Sequence, residues 1–257
     1  MRLAQVLFSQ GFGTRRECEA LILAGEVRLG GQVCDDPDRE VDPAGLCFEV
    51  QGTLWPYHEP ALIVLHKPLG YECSRKPSAW PSVMTLLPAP LRRRGVQPIG
   101  RLDQDTTGLL LLTDDGALLH KLTSPKHHVP KVYEVRTARP VTDDQVRALL
   151  EGVVLRDDPQ PVRAAACERT GERGLRLTLT QGKYHQVRRM VAAVGNHVEA
   201  LHRSRFGGLA LPDDLAPGQW RWLDGPGIVA PGLTPTLEGS SRPGFGQPGG
   251  GPSDILR

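Results

Sequence analysis

Apolar residues recur along this chain at two different spacings, and the change between them divides it. Near the N-terminus Leu3, Val6 and Leu7, then Cys18, Leu21 and Ile22, fall three and four apart, the repeat of a helix face. Two short helices are predicted around Gly11-Phe12-Gly13. Thr14 opens the second, and Glu17 three residues on completes a capping box. Gly25 ends that helix, and Val27-Arg28-Leu29 and Gln32-Val33-Cys34 flank Gly30-Gly31 as a hairpin. From Ala61 the pattern changes. Ala61-Leu62-Ile63-Val64-Leu65 and Leu109-Leu110-Leu111-Leu112-Thr113 are unbroken apolar runs of strand length, the pattern of buried strands. His66-Lys67-Pro68-Leu69-Gly70 reads as a turn between them, and Val96-Gln97-Pro98-Ile99 as a short strand.

Further on, Lys131-Val132-Tyr133-Glu134-Val135-Arg136 alternates as a strand. Helices are predicted after Asp114-Asp115-Gly116 through Leu118, Leu119 and Leu122, and from Thr142 through Val146, Leu149 and Leu150. A third runs from Gly182-Lys183 through Val187, Met190, Val191 and Val194 to Gly195-Asn196. Strands are expected at 162–168, 174–180, 198–206 and 219–223. This mixture of strand–strand and strand–helix steps predicts an α+β fold, with a mixed, largely antiparallel sheet and flanking helices. Four segments follow: a small domain at 1–50, a linker at 51–60, a larger domain at 61–230, and a Gly-, Pro- and Ser-rich tail at 231–257 expected to be disordered.

Composition narrows the function classes. The 257 residues are 39% hydrophobic and 23% charged, which suits a globular protein, and no apolar run is long enough to cross a bilayer. The five cysteines are scattered without a Cys-x-x-Cys, which argues for free thiols in a reducing cytoplasm and against a zinc site. No nucleotide-binding or metal motif is present, so neither cofactor nor metal is expected. A net charge of +2 does not announce a nucleic-acid partner, but its distribution is uneven. Arg15-Arg16, Arg92-Arg93-Arg94, Lys121 with Lys126 and Lys131, Arg188-Arg189, and Arg203 with Arg205 form local basic clusters. Acid gathers instead at Asp35-Asp36-Pro37-Asp38-Arg39-Glu40.

Candidate chemistry concentrates in Gly100-Arg101-Leu102-Asp103-Gln104-Asp105-Thr106-Thr107-Gly108, a glycine-bounded turn carrying two carboxylates and an arginine into a buried strand. Local chemistry alone leaves open a catalytic loop and an ordinary surface turn. Asp105 is either a second catalytic carboxylate or a turn-former.

Met1-Arg2-Leu3, Thr14-Arg15-Arg16-Glu17 and Gly25-Glu26-Val27-Arg28-Leu29-Gly30-Gly31 together resemble the S4 RNA-binding module. They depart from it at Ala4-Gln5 and at Gly30. Leu65-His66-Lys67-Pro68-Leu69-Gly70, Gly100-Arg101-Leu102-Asp103, Lys131-Val132-Tyr133 and Gly182-Lys183-Tyr184-His185-Gln186-Val187-Arg188-Arg189-Met190, in this order, resemble the bacterial small-subunit rRNA pseudouridine synthases, the RsuA family. His66 stands where that family often has Asn.

The resemblance implies cofactor-independent isomerisation of a uridine in 16S rRNA by a cytoplasmic monomer. Its partner would be 16S rRNA or a small-subunit assembly intermediate, with no membrane involved. The same chemistry on 23S rRNA, or a non-catalytic RNA-binding assembly factor, are the alternatives. It implies Asp103 as the catalytic carboxylate, Arg188 as its cationic partner, and Tyr133 stacked on the uracil. Arg101 would stand in for the extruded nucleotide. Lys67 would reach phosphate, Lys126 would line the RNA entry, and Arg15, Arg16 and Arg189 would hold phosphates.

Overall fold

A computed structural model of the chain describes residues 1–156 and 158–229. The chain divides into two compact units between Tyr57 and His58. In the first, α1 (Leu3–Ser9) and α2 (Arg15–Leu23) form a helical hairpin. It is followed by β1 (Val27–Leu29), β2 (Gln32–Val33), β3 (Cys47–Val50) and β4 (Thr53–Pro56) in an antiparallel sheet ordered β2-β1-β3-β4. The capping box of α2 is present in both directions: Thr14 accepts from the Glu17 amide and Glu17 accepts from the Thr14 amide. Such a cap contributes about 1 kcal/mol. Leu29 pairs with Gln32 across Gly30 and Gly31, whose φ values of +56° and +83° are those a two-residue hairpin turn requires. Leu3, Val6, Leu7, Cys18, Ile22, Phe48 and Trp55 are buried.

The stretch 51–60 was expected to be a linker, and the structure corrects this. Thr53–Pro56 pair with β3 in register, and Trp55 is buried, so these residues belong to the sheet of the first unit. The mixed Pro, Gly and Thr composition hid a short strand with one inward side chain. The tail 231–257 lies outside the described residues.

The second unit begins with β5 (Leu62–Lys67), α3 (Ala89–Arg93), β6 (Gln97–Pro98), β7 (Thr106–Thr113), α4 (Gly116–Thr123) and β8 (Lys131–Thr137). It continues through α5 (Asp143–Glu151), β9 (Val153–Leu155), β10 (Asp158–Val162), β11 (Ala166–Gly171), β12 (Gly174–Leu179) and α6 (Gln186–Ala193). It closes with β13 (Val198–Phe206), β14 (Leu209–Ala210) and β15 (Trp220–Trp222). Nine strands make one sheet, with the path β11-β12-β8-β13-β7-β5-β15, β6 beside β7 and β14 beside β13. The β13–β7 pair is parallel and the other pairs of this sheet are antiparallel, so the expected mixed, largely antiparallel α+β fold is what forms. β9 and β10 stand apart as a two-stranded hairpin that the sequence pattern did not announce.

The unbroken apolar runs are explained by burial on both faces. Leu62, Ile63, Val64 and Leu65 of β5 and Leu109 to Leu112 of β7 are all at most 3% exposed. On one face Leu62, Val64, Leu109 and Leu111 pack with Leu118 and Leu122 of α4. Each such leucine contributes about 2 kcal/mol by leaving water. At the other end of the sheet, Val135, Leu175 and Leu177 pack beneath Leu149 of α5 and Val187, Met190 and Val191 of α6. Among the described residues, no helix is long and apolar enough to cross a membrane.

Candidate active site

The turn from Arg101 to Thr106 is fixed mainly through its backbone. Lys67, expected in an exposed turn, is instead the last residue of β5 and is 0% exposed. Its Nζ donates to the carbonyls of Pro68 (3.0 Å), Gln104 (3.3 Å) and Thr106 (2.8 Å). A fully buried ammonium already bonded to three carbonyls does not reach a phosphate, so the phosphate role expected for Lys67 is not what the structure gives it. The apolar run simply continues two residues further than its hydrophobic letters show. Burial lowers the Lys67 pKa, opposed by the nearby Cys73, Asp105 and Asp103.

Three more contacts hold the same turn. The Gly70 amide donates to the Gln104 carbonyl at 2.9 Å, and the Thr106 amide to the Asp103 carbonyl at 3.0 Å. The Leu102 amide donates to the buried Cys73 Sγ at 3.4 Å. Burial pushes the Cys73 thiol up, so it stays neutral against the amide. At the exit of the turn, Gly108 has φ +111°, and a Cβ there would lie 2.3 Å from the Arg203 carbonyl oxygen. Only glycine lets β13 approach β7 so closely.

With its backbone held, the turn presents Asp103 with a side chain about one-third exposed. The group beside it is His185, whose Nε2 lies 3.3 Å from Asp103 Oδ1. Arg188 was expected there, and the structure corrects the pairing. Arg188 Nη2 lies 2.9 Å from Asp105 Oδ2 and also donates to the Asp105 carbonyl at 3.3 Å. Its Nη1 is committed to the Val198 carbonyl at 3.2 Å, which aims the fork two residues past Asp103. Asp105 is therefore neither a second free carboxylate nor only a turn-former; it ties the turn to α6.

The loop bearing His185 was predicted to be helix from Gly182. It is not, because His185 has φ +46° and the helix starts only at Gln186. Lys183 is paired to Asp158 of β10. The Lys183 amide donates to Gln186 Oε1 at 2.8 Å, and Arg189 Nη1 donates to the Tyr184 carbonyl at 3.1 Å. Tyr184 stacks on His185 at 3.8 Å between centroids and is 75% exposed. His185 and Tyr184 lie within a motif noticed in the sequence, but nothing in their spacing said that they would meet Asp103.

The remaining expected residues are distributed as follows. Tyr133 sits on β8 opposite Arg203 of β13 and Leu177 of β12, half-buried against the α5–α6 core. Among the described residues its hydroxyl makes no hydrogen bond. Arg101 is exposed and makes no ion pair or hydrogen bond among the described residues. Lys126 is exposed in a short 3-10 turn, Pro125–His127. Arg15 and Arg16 are exposed at the start of α2 in the first unit, Arg15 lying over the Phe8 ring at 5.4 Å. Arg203, read in the sequence as one of a basic cluster with Arg205, is instead 1% exposed and donates through Nε to the Leu109 carbonyl at 2.8 Å.

A turn offering one carboxylate beside an imidazole and an exposed aromatic can serve nucleophilic or proton-transfer chemistry on a planar ring. Comparison with known proteins narrows this. The family model described as RNA pseudouridylate synthase matches residues 61–193, and that of the S4 domain matches residues 1–45. The chain is 46% identical over 166 residues to ribosomal small subunit pseudouridine synthase A of Escherichia coli (strain K12), covering 65% of this chain and 71% of that one. It is 38% identical over 224 residues to the protein of the same name in Pasteurella multocida, covering 87% and 96%. It is 39% identical over 226 residues to an uncharacterized RNA pseudouridine synthase of Bacillus subtilis, covering 87% and 95%. A crystal structure of a pseudouridylate synthase aligns with a TM-score of 0.62 at 34% identity, over 89% of this chain and 98% of that one.

Proposed function

The chain belongs to the RNA pseudouridylate synthase family, and from that premise we propose that it isomerises one uridine of 16S ribosomal RNA, with Asp103 as the catalytic carboxylate. The small-subunit substrate is supported by relatives named ribosomal small subunit pseudouridine synthase A at 46% and 38% identity. The S4 domain at residues 1–45 supports RNA as the partner, through Arg15 and Arg16. We take that partner to be 16S rRNA or a small-subunit assembly intermediate, met in the cytoplasm by a monomer. All five cysteines are free thiols, in keeping with a reducing compartment.

The observation that carries the catalytic reading is the backbone-held turn that leaves the Asp103 carboxylate partly exposed beside His185. Isomerisation breaks the bond from C1′ to N1 and forms one from C1′ to C5. The proton on C5 leaves and N1 gains one, so no donor or oxidant is needed. A carboxylate suits attack at C1′, addition to the base, or assistance of elimination to a glycal. Tyr133, with its hydroxyl uncommitted, suits stacking on the uracil and carrying a proton. Arg101 suits filling the gap left by the extruded nucleotide, at a step costing a few kcal/mol. Arg188 supports the reaction through Asp105, as a positioning residue. In this reading Lys126 lines the RNA entry and Arg189 holds a phosphate.

Asp103→Asn is expected to abolish pseudouridine formation while RNA binding stays within about threefold, a loss of at least about a thousandfold in rate. Carbodiimide mapping of rRNA from a deletion strain, complemented with wild type or variant, measures it. Wild-type yield from the variant would sink the assignment, and loss of a 23S rather than a 16S site would move the substrate to the large subunit.

A further inference from the structure

The segment Thr180–His185 borders two places at once. At His185 it meets Asp103, and at Thr180 and Gln181 it lines a separate cavity of about 360 Å³. Three element ends converge on that cavity. Glu151 closes α5, Arg163 follows β10, and Thr180 with Gln181 follows β12; His128 also lines it. On the same segment Lys183 is paired with Asp158. Among the described residues, the side chains of Glu151, Arg163, Thr180, Gln181 and His128 make no hydrogen bond or ion pair. An arginine and a glutamate that share a cavity without pairing leave a fork of donors and a pair of acceptor oxygens free for a ligand.

The chemistry of that pair selects among the bases. Guanine offers two adjacent donors, N1–H and the 2-amino group, for one carboxylate. It also offers two adjacent acceptors, O6 and N7, for one guanidinium. Adenine, cytosine and uracil each lack at least one of those sets. Unpaired bases in RNA are read in this way on their edges. Gln181 precedes His185 by four residues, so the cavity wall lies at most about 14 Å along the chain from the group beside Asp103. That places it within a few nucleotides of the reacting uridine. We propose that this cavity is a specificity site for an unpaired guanine near the target uridine, read by Glu151 and Arg163. The inference rests on the RNA-isomerase reading above and adds the neighbouring base that the enzyme selects.

The test uses the full chain and fluorescence anisotropy with labelled adenosine pentamers whose central base is guanine, hypoxanthine, cytosine, uracil or adenine. Wild type is expected to bind the guanine pentamer about 5- to 10-fold tighter than the adenine, cytosine or uracil ones. Hypoxanthine, which lacks the 2-amino group, should fall between. Glu151→Gln and Arg163→Ala, at exposed positions where folding is not at stake, should each bring all five within about twofold. Equal affinity for every base in wild type, or a guanine preference that survives both substitutions, overturns the proposal. Pseudouridine formation is scored separately. Product without base preference removes the guanine site alone, whereas base preference without product keeps the site and removes the isomerase reading.

Discussion

Two loops meet at Asp103, and they are held in opposite ways. The Arg101–Thr106 turn is fixed from within: a fully buried lysine, a buried thiol and a glycine amide all bind its backbone. The Gly182–His185 loop is held at its surface by one ion pair, one side chain accepting from its backbone and one arginine, and its Tyr184 ring lies in solvent. Buried charge-assisted hydrogen bonds lose much when broken, whereas exposed pairs lose little. The first loop is therefore suited to holding a reacting group in one geometry, and the second to adjusting around a substrate. Catalytic groups need placement to within about half an ångström, which only the first construction supplies.

The sharpest way to break this comparison is Lys67→Met. It removes the donor shared by the Pro68, Gln104 and Thr106 carbonyls and leaves them without that bond in the interior. Stability should fall by about 2 kcal/mol in urea unfolding, and kcat by about a hundredfold with KM little changed. A variant that loses stability but keeps wild-type kcat would show that the turn is ordered by something other than Lys67. Asp105→Asn comes next, because it weakens the link from this turn to Arg188 while keeping an acceptor in place. We expect a kcat about tenfold lower and a stability change under about 1 kcal/mol. An unchanged rate would mean that the Arg188 contact does not position Asp103.

On the other loop the expected signature is reversed. Tyr184→Ala removes an exposed ring that, among the described residues, stacks only on His185, so folding should not notice. Stacking a base on an aromatic ring contributes about 1–3 kcal/mol, so KM should rise about tenfold with kcat within about twofold. A fall in kcat with unchanged KM would place Tyr184 among the fixed groups and undo the distinction.

The same contrast explains what could be read in advance. β5 and β7 were legible because both faces are buried and the apolar letters run unbroken, and the capping box of α2 was legible because the motif is local. The Asp103 turn stood out by composition and family likeness. Lys67 was misplaced because a lysine letter suggests solvent, and only the tertiary structure supplies its three carbonyl partners. Arg188 was assigned to Asp103 because a motif gives order along the chain and not the direction of a guanidinium already bonded to Val198. His185 was overlooked because its left-handed backbone interrupts a stretch whose apolar spacing continues a helix. The β9–β10 hairpin was invisible because Asp158-Pro159-Gln160-Pro161 does not alternate.

The smallest expected effect probes the outer brace of the fixed turn. Glu72, next to Cys73, accepts from the amides of Ser78, Ala79 and Trp80 and from the Ser78 hydroxyl, folding residues 74–81 against itself. Those amides hold its pKa at about 2, against an ordinary 4.5. Because the folded value is the lower one, the contribution is complete above about pH 4.5 and is lost as pH falls toward about 2. Glu72→Gln keeps an acceptor but removes the charge, so it should lower stability modestly at neutral pH, where the contribution is complete, and converge with wild type as pH falls toward about 2, which flattens the acid limb. Urea unfolding at successive pH values measures this. If the variant and the wild type lose stability in parallel below pH 4.5, the brace is not electrostatic, and the turn is held by its direct contacts with Lys67, Gly70, Cys73 and Arg188.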